Sequence, residues 1–178
     1  MSGIDASTHP ERLGEECFAG SNRAARVPKS AVDLPLDPVM AHALGVGQYM
    51  RYFADASLGL DVIKKALSAE DPTFKIDGGE VSRGGQLLAE IEVNKPGSDM
   101  FADDINGMMQ RLQHAGASQV MQRVQGTQAV LAVQILDGAP NAMELLEPLW
   151  AVSSRLATGL WHVEGQGFYD GGQLIAQV

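Results

Sequence analysis

Phe74-Lys-Ile-Asp-Gly-Gly-Glu-Val-Ser-Arg-Gly-Gly-Gln-Leu-Leu-Ala-Glu-Ile91 and Trp161-His-Val-Glu-Gly-Gln-Gly-Phe-Tyr-Asp-Gly-Gly-Gln-Leu-Ile-Ala-Gln-Val178 align without a gap at an offset of 87 residues. Six of the 18 columns are identical: Gly78/Gly165, Gly84/Gly171, Gly85/Gly172, Gln86/Gln173, Leu87/Leu174 and Ala89/Ala176. Self-similarity at a fixed offset points to an internal repeat. Each copy reads as strand, glycine-rich connection, strand. Phe74 and Ile76 alternate with Lys75 and Asp77. Leu87, Ala89, Ile91 and Val93 alternate with Gln86, Leu88, Glu90 and Glu92. The second copy alternates Trp161 and Val163 with His162 and Glu164, then Leu174, Ala176 and Val178 with Gln173, Ile175 and Gln177. A period of two with one apolar face marks half-buried strands, here with the same inward positions in both copies.

Helical patterns lie upstream of each copy. Residues 58–69 carry a stripe of Leu58, Val62 and Leu67, and residues 142–156 one of Leu145, Leu146, Leu149, Val152 and Leu156. Pro148 predicts a kink or a fresh start in the second. Strands are expected at Tyr49–Phe53 and Ala129–Leu136, the latter apolar on both faces and therefore central. Between the copies, Phe101, Ile105, Met108, Met109 and Leu112 fall at helical spacing, and a short helix with Val120, Met121 and Val124 follows Ala115-Gly116-Ala117. Asp37, Pro38 and Gly45 frame another short helix over 38–44. The expected fold is α+β, a duplicated βαββ design. It gives a mostly antiparallel sheet of about six strands with helices on one face, in a ferredoxin-like arrangement. The repeats span about 48–94 and 128–178, a helical segment 98–126 joins them, and the domain covers 36–178. Residues 1–35 lack apolar periodicity and read as an extended arm, with Val27-Pro28 and Leu34-Pro35 favouring extended backbone.

The chain has 178 residues, 45% hydrophobic and 20% charged, with net charge −9, which fits one globular domain and excludes a disordered or collagen-like chain. That charge opposes a phosphate backbone, so no nucleic-acid partner is expected. Cys17 stands alone, which excludes an intrachain disulfide and a cysteine-based zinc site. No apolar run is long enough to span a membrane and no secretory leader opens the sequence, so a cytoplasmic protein is expected.

His162, Glu164, Tyr169 and Asp170 form the densest titratable group. Alternation puts His162 and Glu164 on one strand face, where both can ligate a metal or work as acid and base, yet a third ligand is missing. Their counterparts Lys75, Asp77, Ser82 and Arg83 show that no such site belongs to the repeated unit. Gly165–Gly172 lacks the Gly-Lys-Ser/Thr and following helix of a phosphate loop, and reads as a hairpin. Asp99, Asp103 and Asp104 fit the positive end of a helix better than a magnesium site. Met108 and its neighbours fit a core stripe. Cys17 follows Glu15 and Glu16, which disfavour a thiolate. Ser153 and Ser154 occupy no nucleophile elbow, and His9, His42 and His114 are scattered. No catalytic residue, metal or cofactor is assigned.

The segment Ala89–Phe101, with its Ile-x-Asn-x-Pro-Gly turn, and Glu164–Gly172, with Gly-Phe-Tyr-Asp, resemble a group of small, acidic, uncharacterised bacterial cytosolic proteins. The resemblance implies an α+β fold and no activity.

The composite expectation is a non-enzymatic binding or interaction module. Its open sheet face presents Lys75, Asp77, Leu88, Glu90, His162, Glu164, Tyr169, Asp170 and Ile175 to a protein partner, with a basic effector or toxin suited to the charge, or to a second copy. The alternative is a small enzyme or metal- or ligand-binding protein using His162 and Glu164 in a cleft between the repeats.

Overall fold

The computed structural model describes residues 48–178. The expected arm over 1–35, the helix over 38–44, Cys17, His9 and His42 lie outside the described residues. In chain order the elements are β1 Tyr49–Ala54, α1 Leu60–Glu70, β2 Phe74–Asp77, β3 Glu80–Arg83, β4 Gln86–Asn94, α2 Asp99–His114, α3 Ser118–Gln125, β5 Ala129–Ile135, α4 Ala142–Leu145, α5 Glu147–Leu156, β6 Gly159–Val163, β7 Gly167–Asp170 and β8 Gln173–Ala176. The fold is α+β around one antiparallel sheet of order β2-β3-β4-β5-β1-β6-β7-β8.

The helix ends follow local chemistry. The Ser98 hydroxyl accepts a hydrogen bond from the Phe101 amide at 3.2 Å, Asp99 sits in the first turn of α2, and Arg111 and His114 sit in its last. Pro148 stands in the first turn of α5, where its missing N–H leaves nothing unsatisfied, so the helical stretch splits into α4 and α5. In α1 the buried pair is Ile63 and Leu67, while Val62, expected in the stripe, is exposed. The stripe runs at i and i+4 from Ile63, which turns Val62 to solvent.

The sheet has eight strands where about six were expected. The two glycine-rich connections are themselves strands, β3 and β7, each only four residues long. Gly78-Gly79 and Gly84-Gly85 form two-residue turns with positive φ at both positions, the geometry that closes a tight hairpin. Chain reversal on both sides leaves room for a short strand between them.

Helices cover both sheet faces, not one. α1, α4 and α5 pack over a large core that includes Tyr52, Leu67, Leu88, Leu131, Val133 and Leu149. α2 and α3 lie on the opposite face over Phe53, Val130, Leu160 and Phe168, with Met108, Leu112, Val120 and Val124 as their own apolar stripe. The reason lies in β5. Its residues Ala129–Val133 are all buried, so both of its faces need cover. The second layer extends over β1, β5, β6 and β7. It stops short of β2, β3 and β4, whose Lys75, Asp77, Glu80, Glu90 and Glu92 remain exposed.

The two similar segments differ in register. Asp77 pairs with Glu80 across a two-residue turn, whereas Val163 pairs with Gly167, leaving the three-residue loop Glu164-Gly165-Gln166. One extra loop residue sends every later side chain to the other face. Val81 and Ala89 therefore enter the α1/α5 core, while their counterparts Phe168 and Ala176 pack under α2 and α3. The same inward positions are not kept. A bulge interrupts each copy at the matching place, between Val81 and Ser82 opposite Leu88, and between Phe168 and Tyr169 opposite Ile175. It turns Leu88 fully into the core and leaves Leu87 41% exposed, the reverse of the simple alternation. Placement in the sheet differs as well. β4, the last strand of its copy, joins β5, while β6, the first strand of its copy, joins β1. No described helix is long and apolar enough to cross a membrane.

Candidate functional site

The sequence-defined surface falls into four separate places. Leu88 is core. His162, Glu164 and Asp170 lie at the junction of β6 and β7 with α2 and α3. Lys75, Asp77 and Glu90 lie on the uncovered half of the sheet. Ile175 sits 40% exposed on the outer strand β8. Tyr169 packs against the α1/α5 core and donates its hydroxyl to Gln166 Oε1 at 2.8 Å.

His162 is fully buried, its ring 4.9 Å from that of Phe168. Neither ring nitrogen has a hydrogen-bond partner among the described residues. Burial, with Arg51 and Arg111 adding to it against Glu164, pushes its pKa down to about 4, so the imidazole is neutral at pH 7. Its register partner Arg51 spans the gap to α2: Nε donates to Asp104 Oδ1 at 2.7 Å and Nη1 to Glu164 Oε2 at 3.2 Å. Arg111 of α2 donates to Glu164 Oε1 at 2.7 Å, and the Arg51 guanidinium stacks 4.2 Å above the Tyr49 ring. Partial burial raises the Glu164 pKa, but the hydrogen bond and charge of Arg111, with help from Arg51, outweigh it and hold the carboxyl below its ordinary value.

This arrangement clamps α2 to the sheet. A neutral, enclosed imidazole and a carboxylate held by two guanidinium groups do not make an open acid/base pair, because His162 has no exposed surface. No group of three or more His, Cys, Asp or Glu suited to a metal occurs among the described residues. Asp104, read from sequence as a helix-end carboxylate, is instead the half-buried anchor of Arg51; its partner on a distant strand had no local signature.

The uncovered half carries a groove. It has a volume of about 450 Å³ and is bounded by Tyr49, the Gly78-Gly79 turn, Glu80, Glu90, Glu92 and Gln134. The turn packs tightly: Gly79 O accepts from the Ile91 amide at 2.8 Å, and a Cβ on Gly79 would meet Ile91 O at 2.9 Å. Glu80 and Glu90 are direct cross-strand neighbours. Like charges placed opposite one another destabilise a sheet. All five described arginines, Arg51, Arg83, Arg111, Arg123 and Arg155, are ion-paired elsewhere, to Asp104 and Glu164, Asp71, Glu164, Asp170 and Glu70 respectively. Asp77, Glu80, Glu90 and Glu92 form no ion pair among the described residues. Sequence reasoning singled out Lys75, Asp77 and Glu90 here but missed Tyr49, Glu80, Glu92 and Gln134. Glu92 was visible as an outward residue of β4; Glu80 was hidden by the reading of β3 as a loop.

No protein-family model, curated protein or solved structure matches the chain.

Proposed function

We propose that the chain is a non-enzymatic interaction module whose uncovered, acidic sheet face takes a basic protein partner. The observation that carries this reading is the set of unpaired carboxylates on β2–β4, with Glu80 directly opposite Glu90, beside a groove of about 450 Å³. A Lys or Arg side chain lying between them relieves the repulsion that the chain leaves uncompensated. Around β6 the same chain neutralises each such carboxylate with an arginine of its own. The two strand triplets are, on this proposal, products of a duplication after which only one kept an open face.

The test is a native pull-down of the tagged full chain from its own cytosol, followed by mass spectrometry, with a Glu80→Gln/Glu90→Gln/Glu92→Gln variant in parallel. A stoichiometric basic partner retained by the parent chain, released by salt and lost in the variant, supports the reading. A partner retained equally by both chains overturns it. So does a metal or small molecule bound without any protein.

A further inference from the structure

We infer that β8 is a self-pairing edge, through which two copies of this chain join into one continuous sheet. β8 pairs with β7 alone, so its outer row of backbone groups meets no strand among the described residues. Native edge strands are normally blunted by charge, proline or cover. The opposite edge, β2, obeys that rule with Lys75 and Asp77. β8 does not: residues 171–178 carry no charged side chain in a chain of net charge −9. Two such chains repel over most of their surfaces, and an uncharged strip is where they approach at least expense.

The exposed aliphatic groups suit a copy of themselves. Leu174 is 41% exposed and shares a face with Tyr169, its register partner, while Ile175 is 40% exposed on the other side of the strand. A two-fold axis perpendicular to the sheet pairs the edges antiparallel and keeps each face on its own side. A register centred on Leu174 sets it beside the partner subunit's Leu174 on one face. On the other face, Ile175 lies across from the partner subunit's Gln173. Apolar contact thus forms on one face without any charge opposing charge. In this register three residues of each β8 pair, which bury less than the roughly 1,200–2,000 Å² of a stable complex, so the dimer is weak and dissociates at micromolar to millimolar concentration. The inference is independent of the acidic groove, which lies toward the other end of the sheet.

Sedimentation or light scattering of the full chain from about 10 μM to about 1 mM tests it. The average mass of the parent chain is expected to climb from 18.9 kDa toward twice that value. Leu174→Lys and Leu174→Glu, each alone, stay at 18.9 kDa, because the two-fold axis sets like charges side by side. Their equimolar mixture regains the dimer, because the charges then oppose. Near-UV dichroism of Trp150 and Trp161 verifies that both variants fold, and Leu174→Arg or Leu174→Asp replaces the one of like charge that does not. A parent chain fixed at 18.9 kDa throughout overturns the inference, as does a dimer that the lysine variant leaves intact. A mixture that fails to restore the dimer overturns the Leu174-centred register.

Discussion

The β2–β3–β4 and β6–β7–β8 meanders are built from matching sequence, turn at matching glycines and bulge at matching residues, yet they present opposite faces to the helices from their second strand onward. A single loop residue separates them. With two residues between β2 and β3, Val81 points toward α1 and α5. With three between β6 and β7, Phe168 points toward α2 and α3. The second meander can therefore lie between two helical layers, while the first keeps one face in solvent. Turn length, more than strand composition, decides which of the two meanders keeps an open surface.

The sharpest way to break this difference is to delete Gly167. With the three-residue loop kept, Phe168 falls opposite Val163 and is driven toward the wrong core, and we expect loss of cooperative unfolding, equivalent to more than about 4 kcal/mol, by denaturant titration. Truncating Phe168→Ala leaves the register alone but opens a cavity under α2 and α3. The expected loss is about 3–5 kcal/mol in the same titration. The bulge positions give a matched pair. Leu88→Ala, fully buried, should destabilise by about 2–5 kcal/mol, whereas its counterpart Ile175→Ala should change stability by less than about 0.5 kcal/mol. Equal effects would mean that the two copies share a face after all.

Acid separates the two copies next. His162 titrates near 4 in the folded chain against an ordinary value of 6.5. Between those values the unfolded chain binds a proton that the folded chain refuses, so this contribution to stability is complete above about pH 6.5 and is lost as pH falls toward 4. The expected loss is about 3 kcal/mol, and His162→Leu should flatten that part of a stability-against-pH curve. The matching residue in the first meander, Lys75, is exposed. The smallest change is expected on the open face. Glu90→Gln relieves the repulsion with Glu80 and should raise stability by a few tenths of a kcal/mol, while weakening capture of a basic partner. A destabilising Glu90→Gln would show that the glutamate has a favourable contact and would undercut the open-face reading.

Much of the architecture was legible in short-range pattern. Alternation located β2, β4, β6 and β8, and a strand was expected at Tyr49–Phe53, where β1 lies. The doubly apolar run of β5 marked it as interior. Asp99 and Pro148 placed helix ends that the structure reproduces within a few residues. What pattern missed depends on counting across turns. A four-residue strand between paired glycines looks like a loop, and a bulge reverses alternation at Leu87 and Leu88 with no change in composition. Cover on both faces was implied by β5 but not recognised, because helices α2 and α3 carry no mark of the face they meet. The clamp of Arg51, Asp104, Arg111 and Glu164 joins residues far apart in sequence, so only the folded chain assembles it. His162 was correctly placed on one face of its strand but wrongly supposed to be open, since exposure depends on what packs above.

The position of β1 sets the order of events during synthesis. Residues 49–54 form a central strand, yet both of their neighbours, residues 129–134 and 159–163, emerge from the ribosome much later. The β2–β4 meander joins the sheet only through β5, so it too must wait. Long-range pairing of this kind slows folding, because chain closure precedes the contacts that reward it. The nascent chain thus carries the apolar Tyr52 and Phe53 without a strand partner until residues 129–135 are made, an interval in which a holding chaperone has a substrate.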